Sequence, residues 1–117
     1  MSEVEEAVKQ LREYQADQKI LVEARDMYHR LYANPDFKKL IVDGFMTHEC
    51  ARYVQESCDP MLTAAQRADA LAMAQAAGNL KRFLALCHVI GNTAEDNIRK
   101  ADDDIAHALE NGLEGNE

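Results

Sequence analysis

Apolar or large side chains recur at steps of three and four along two long stretches, from Ser2 to about Ala33 and from Asn79 to about Asn111. That spacing places them on one face of an α-helix. In the first stretch the face holds Val4, Val8, Leu11, Tyr14, Leu21, Val22, Tyr28, Leu31 and Tyr32. Ser2 and Glu5 form the capping box that opens it. Gln18 and Arg25 interrupt the face. Two readings stand: polar positions that set the register of an antiparallel pair, or a stretch only partly buried. In the second stretch the face holds Leu80, Phe83, Leu84, Cys87, Ile90, Ala94, Ile98, Ala101, Ile105 and Leu109. Gly91-Asn92-Thr93 breaks the composition, yet Cys87, Ala94 and Ala101 stay in phase across it. One long helix is therefore expected, with a bend at Gly91 or a fresh cap at Thr93 as the alternatives.

The middle is punctuated. Asn34 can end the first helix and cap the next, with Pro35 at its first position and Asp36 in its first turn. Phe37, Leu40, Ile41, Phe45, Ala51 and Val54 then share a side, and Asp59-Pro60 stops the helix near Ser57. Gly44 costs that helix about 1 kcal/mol relative to alanine, which predicts close approach of a neighbouring helix. Thr63 and Gln66 make a second capping box for an Ala-rich helix, and Gly78 is its expected stop. The pattern predicts a single all-α domain over 1–117, a bundle of about four helices: 3–33, 35–57, 64–77 and 80–111. The two long helices pair antiparallel, the two shorter ones pack at one end, and 112–117 forms a frayed tail.

Composition supports helix over sheet. The chain has 117 residues, 47% of them apolar, with no tryptophan. The formal net charge is −8. Residues 1–94 hold 13 acidic and 11 basic side chains, and residues 95–117 hold 8 and 2. Such a chain is a poor direct binder of nucleic-acid phosphates or anionic membranes. No apolar run approaches a membrane span and the start "MSEVEEAVKQ" has no apolar core of a signal peptide. Three cysteines without disulfide-framework spacing make the cytoplasm the expected compartment.

The candidate chemistry is sparse. His48, Cys50, Cys58, Cys87 and His88 are metal-ligand types without the paired spacing of a zinc site. A Cys87–His pair can be written down, but adjacent helical residues do not face each other. No phosphate loop, nucleophile elbow or zincin motif is present. No cofactor, metal or catalytic residue is expected, and the chain reads as a non-enzyme. Asp102-Asp103-Asp104 lacks the frame of a calcium loop. These acids are either a solvated face or a docking surface for a basic partner. Tyr14, Tyr28 and Tyr32 are either core-edge residues or contacts for a partner protein, since tyrosine joins an apolar body to a polar tip. A homo-oligomer is expected from the long amphipathic helices.

The segments "YANPDFKKLIVDGF", "ECARYVQESCDP" and "RADALAMAQAAGNLKRFL" resemble small helical proteins encoded among the structural genes of tailed bacteriophages, over roughly residues 28–90. The resemblance implies a viral accessory or assembly role in the host cytoplasm or the virion, through protein–protein contacts. The alternative is an acidic inhibitor that blocks a nucleic-acid-binding surface of a host defence protein. A metal- or thiol-dependent enzyme is the third reading.

Overall fold

The computed structural model describes the backbone of residues 2–115 and the side chains of residues 2–112. These residues form three long helices and no strand. Helix α1 is Glu3–Ala33. Helix α2 spans 35–57, and helix α3 is Ala64–Gly115. The all-helical class is as the periodicity requires, but the expected third and fourth helices are one. Gly78 does not stop the chain: no glycine takes a positive φ, which the usual glycine cap needs. The buried Ala70, Ala74, Ala77 and Leu84 keep one helical face in phase on both sides of Gly78. Continuing that packing outweighs the roughly 1 kcal/mol of helix propensity a glycine forfeits. The helix also runs unbroken through Gly91. Residues 112–115 of the expected frayed tail are helical, and 116–117 lie outside the described residues.

The local signals act as their chemistry dictates. Ser2 Oγ accepts from the amide of Glu5 at 3.1 Å. Asn34 Oδ1 accepts from the amides of Asp36 (2.9 Å) and Phe37 (3.1 Å), with Pro35 at the first helical position. Thr63 and Gln66 form the reciprocal box: Gln66 N donates to Thr63 Oγ1 at 3.1 Å, and Thr63 N donates to Gln66 Oε1 at 3.0 Å. Asp59 accepts from the amide of Met61 at 2.9 Å, closing the turn around Pro60.

The chain divides into two compact units. The first comprises Met1–Met27 and Cys87–Glu117, so it is an antiparallel helix pair. On α1 the half-buried positions of this pair are Val4, Val8, Leu11, Gln15, Gln18, Val22 and Arg25, with Ala24 and Asp26 beside the last. The first seven alternate in steps of four and three, the 3.5-residue period of a coiled-coil seam. On α3 the seam is Cys87, Gly91, Ala94, Ile98, Ala101, Ile105, Ala108 and Gly112, in the same rhythm. Tyr14 and Leu21 therefore do not belong to the buried face, and Gly91 replaces Ile90 on it. The seam is narrow on the α3 side, where Ala94, Ala101 and Ile105 are its buried side chains.

The second unit is Tyr28–Leu86. Its buried side chains are Met46 of α2 and Ala70, Ala74, Ala77 and Leu84 of α3. Cys50 Sγ donates to Ala74 O at 3.7 Å, tying α2 to α3 where alanine lets the helices approach. From Lys38 to Glu49 the backbone of α2 widens so that amides reach five residues back, as Cys50 N does to Phe45 O. Gly44 belongs to this stretch. A side chain there would meet Lys39 O of the same helix at 3.2 Å, with no neighbouring helix against it. The glycine relieves crowding within its own wide turn, so the expected close approach of a second helix is corrected.

Candidate interaction surfaces

Two close approaches fix the register of the α1–α3 pair. A side chain at Gly91 would overlap the Cβ of Arg25, and one at Gly112 would lie 2.6 Å from Val4 Cγ2. Val4 and Arg25 are twenty-one residues apart, as are Gly112 and Gly91, so the pairing is antiparallel without slip. The same register sets Leu11 level with Ile105, Gln15 with Ala101, and Val22 with Ala94.

Polar groups of the seam are all partnered. Gln15 Nε2 donates to Ile98 O (3.0 Å) and to Asp102 Oδ1 (2.7 Å). Asn97 Nδ2 donates to Gln18 Oε1 at 3.1 Å. Arg25 lays its stem over Gly91 and is only 12% exposed. Its Nη1 donates to Asn92 Oδ1 (2.9 Å) and Glu95 Oε2 (2.7 Å), while Nε and Nη2 reach Asp26 Oδ1. Glu95 first, then Asp26, hold this guanidinium above its ordinary pKa, against the opposing effect of burial. Each of these bonds is lost on a register slip, because its partner then turns to another face. Gln18 and Arg25, which interrupt the apolar pattern, are thus cross-helix contacts; Gln15 joins them, and its place is visible only once the seam is known.

Around this seam the flanks differ. On one side α1 carries Arg12, Lys19 and Asp26, and α3 carries His88, Glu95 and Asp102. On the other side α1 carries Tyr14 and Leu21, with Asp17 between them, and α3 carries Ile90 and Asn97; Ile20, Met27 and Val89 stand on the faces turned away from the seam. These apolar side chains are exposed, from 37% at Leu21 to 63% at Ile20.

The three tyrosines singled out from sequence separate. Tyr14 stands on the exposed flank of the first unit. Tyr28 and Tyr32 belong to the second unit, with ring centroids 4.7 Å apart, and Tyr32 meets Phe37 edge-on at 5.8 Å. These three rings cover the turn at Asn34. Burial, and secondarily Tyr28, raises the Tyr32 hydroxyl above its ordinary pKa. Asp102, Asp103 and Asp104 also diverge. All three are exposed, and Asp102 accepts from Gln15 across the helix pair. Asp103 instead aligns with Asp96 and Glu110, seven residues to either side.

Two concavities lie in the second unit. One of about 320 Å³ is walled by Tyr53, Glu56, Asp59, Leu62, Gln66, Asp69 and Ala70. Glu56 and Glu49 both pair with Arg52, which holds Glu49 below the usual carboxylate range. The other, about 450 Å³, lies beside Asp36, Lys39, Leu40 and Gly44. Cys50, Cys58 and Cys87 are free thiols. Among the described residues no three His, Cys, Asp or Glu side chains converge as a metal site, and no helix is long and apolar enough to cross a membrane. No protein-family model, curated protein or solved structure matches the chain.

Proposed function

We propose that this chain is a non-enzymatic helical accessory or assembly protein of a tailed bacteriophage. It acts through protein–protein contacts of its helix faces, in the bacterial cytoplasm or in the particle. The observation that carries the contact role is the helix pair of the first unit. Its buried side chains on α3 are two alanines and one isoleucine, while Tyr14, Ile20, Leu21, Met27, Val89 and Ile90 stay exposed. Large apolar groups left exposed around so narrow a helix pair favour contact with another protein. The viral setting rests on the resemblance of residues 28–90. The test is affinity purification of the tagged protein from infected cells, with the particle proteins identified by mass spectrometry. Recovery with particle components at fixed stoichiometry is the expected result. Recovery alone, at all stages of infection, sinks the assembly role.

A second reading is favoured by charge. By sequence the first unit holds 15 acidic and 6 basic residues, a net −9, and the second holds 6 and 7, a net +1. Acids of the chain's beginning and end thus share one unit, as in an inhibitor that presents carboxylates in place of phosphates. Competition with DNA for a basic host protein tests it, and an undisturbed protein–DNA complex rejects it.

A further inference from the structure

We propose that Asn111 is a site of spontaneous covalent modification. The closed helix pair protects it from deamidation, and its reaction, once the end of the pair opens, keeps that end open. The inference goes beyond the protein-contact reading and does not depend on it.

The chemistry lies in one dipeptide. Asn111-Gly112 is the only Asn-Gly step of the chain. Deamidation begins when the main-chain nitrogen of the following residue attacks Cγ of the asparagine. The new N–Cγ bond closes a five-membered succinimide. The Cγ–Nδ2 bond breaks, and the side-chain nitrogen leaves as ammonia with the proton that the main-chain amide gives up. Water then adds to one of the two ring carbonyls and opens the ring to aspartate or isoaspartate. Water is the one co-reactant, and no redox step is involved. Glycine in the second position leaves the attacking nitrogen unshielded and the backbone free to turn, because it has no Cβ.

The folded chain blocks the first step. Within α3 the amide of Gly112 is committed to the carbonyl one turn back, and the helical backbone keeps its nitrogen from the Cγ of Asn111. Asn111 Nδ2 itself lies 3.1 Å from His107 Nε2, one turn toward the start of the helix. Attack therefore needs this end of α3 to leave the helical conformation. A lone helix end opens at little cost. This one is latched, because Gly112 lies so close to α1 that a side chain on it would stand 2.6 Å from Val4 Cγ2. Val8 and Ala108 continue the contact one turn further along the seam.

The product does not restore the latch. Isoaspartate adds a methylene to the main chain between positions 111 and 112, so the helical ladder loses step and Gly112 leaves its level opposite Val4. Either product adds a carboxylate to a unit that already holds 15 acidic and 6 basic residues. The modification runs one way and marks a molecule whose pair has opened at this end.

Peptide mass spectrometry of the full chain, incubated at neutral pH, tests the proposal through the gain of about one mass unit at Asn111. The same chain in concentrated urea gives the unprotected rate. The folded wild type is expected to react at least roughly tenfold more slowly than the unfolded chain. Val4→Asp, with its helix content checked by circular dichroism, should react within roughly threefold of the unfolded rate. Leu40→Glu, an exposed position of the second unit, should keep the wild-type rate. Where Val4→Asp loses helix beyond its terminal turns, Val4→Ala is read in its place, and a rate above that of the wild type is expected. A folded wild type that reacts as fast as the unfolded chain overturns the protection. A Val4 variant as slow as the wild type overturns the latch. Hydrogen exchange of the isoaspartate product should show faster exchange around Gly112 and in the first turns of α1; unchanged exchange there overturns the one-way opening.

Discussion

At the scale of single residues, glycine shows how environment reverses the sign of one substitution. Gly78 has nothing within 4 Å of where a side chain would stand. Gly78→Ala should therefore raise stability by up to ~1 kcal/mol, through helix propensity alone. Gly91 lies under the stem of Arg25, where a methyl group overlaps the arginine. Gly91→Ala should destabilise despite the same propensity gain, by pushing the helices apart at one layer of the seam. Thermal midpoints of the two variants check both, and equal shifts would remove the argument for close approach. Tyr32 provides a pH-dependent case. Its pKa is raised from 10.0, so the folded chain holds the proton more tightly than the unfolded chain does. The associated stability is complete below the unfolded value and is lost as pH rises through the folded one. Ultraviolet titration should show one tyrosine ionising late, and Tyr32→Phe should abolish that late phase. Neither environment is legible in the sequence: Gly78 and Gly91 read alike as breakers, and which is crowded depends on a residue sixty-six positions before Gly91.

At the scale of elements, caps were legible and core membership only partly so. The Thr63–Gln66 box is complete in its local spacing, so Thr63→Ala should cost about 1 kcal/mol, read by urea unfolding. Leu84 and Phe83 are neighbours on the same predicted apolar face, yet Leu84 is 7% exposed and Phe83 62%. Leu84→Ala should therefore cost ~2–5 kcal/mol and Phe83→Ala much less in the monomeric chain. Equal losses in the same unfolding experiment would mean that the face is misplaced. Periodicity could not separate them, because a stripe of apolar residues wider than one seam admits two phases. The second helix shows another limit. Its 38–49 stretch bonds five residues back, and nothing in "KKLIVDGFMTHE" departs from an ordinary helical pattern.

At the scale of the whole molecule, folding redistributes charge that the sequence presents in order. Read linearly, the acidic excess belongs to residues 95–117. Read by unit, it belongs to the helix pair, where the acids of the first turn of α1 join those of α3. Substituting Asp103 and Asp104 by Asn should leave the Gln15 bond of Asp102 intact and raise the thermal midpoint slightly at low salt, by relieving repulsion. The gain should vanish in high salt, where the Debye length shrinks to roughly 3 Å. Differential scanning calorimetry at two ionic strengths checks this, and a fall in midpoint at low salt would show instead that these acids hold a partner group within the chain. What the sequence determined by itself was whatever depends on neighbours within about one helical turn. That covers the helical class, the starts at Ser2, Asn34 and Thr63, and the turn at Asp59-Pro60. Tertiary structure alone decided that α3 continues through Gly78, that Gln15, Gln18 and Arg25 belong to the seam, and that Gly91 meets Arg25. Those outcomes depend on which face meets which and at what register, and an interaction between residues far apart in the chain leaves no local spacing to read.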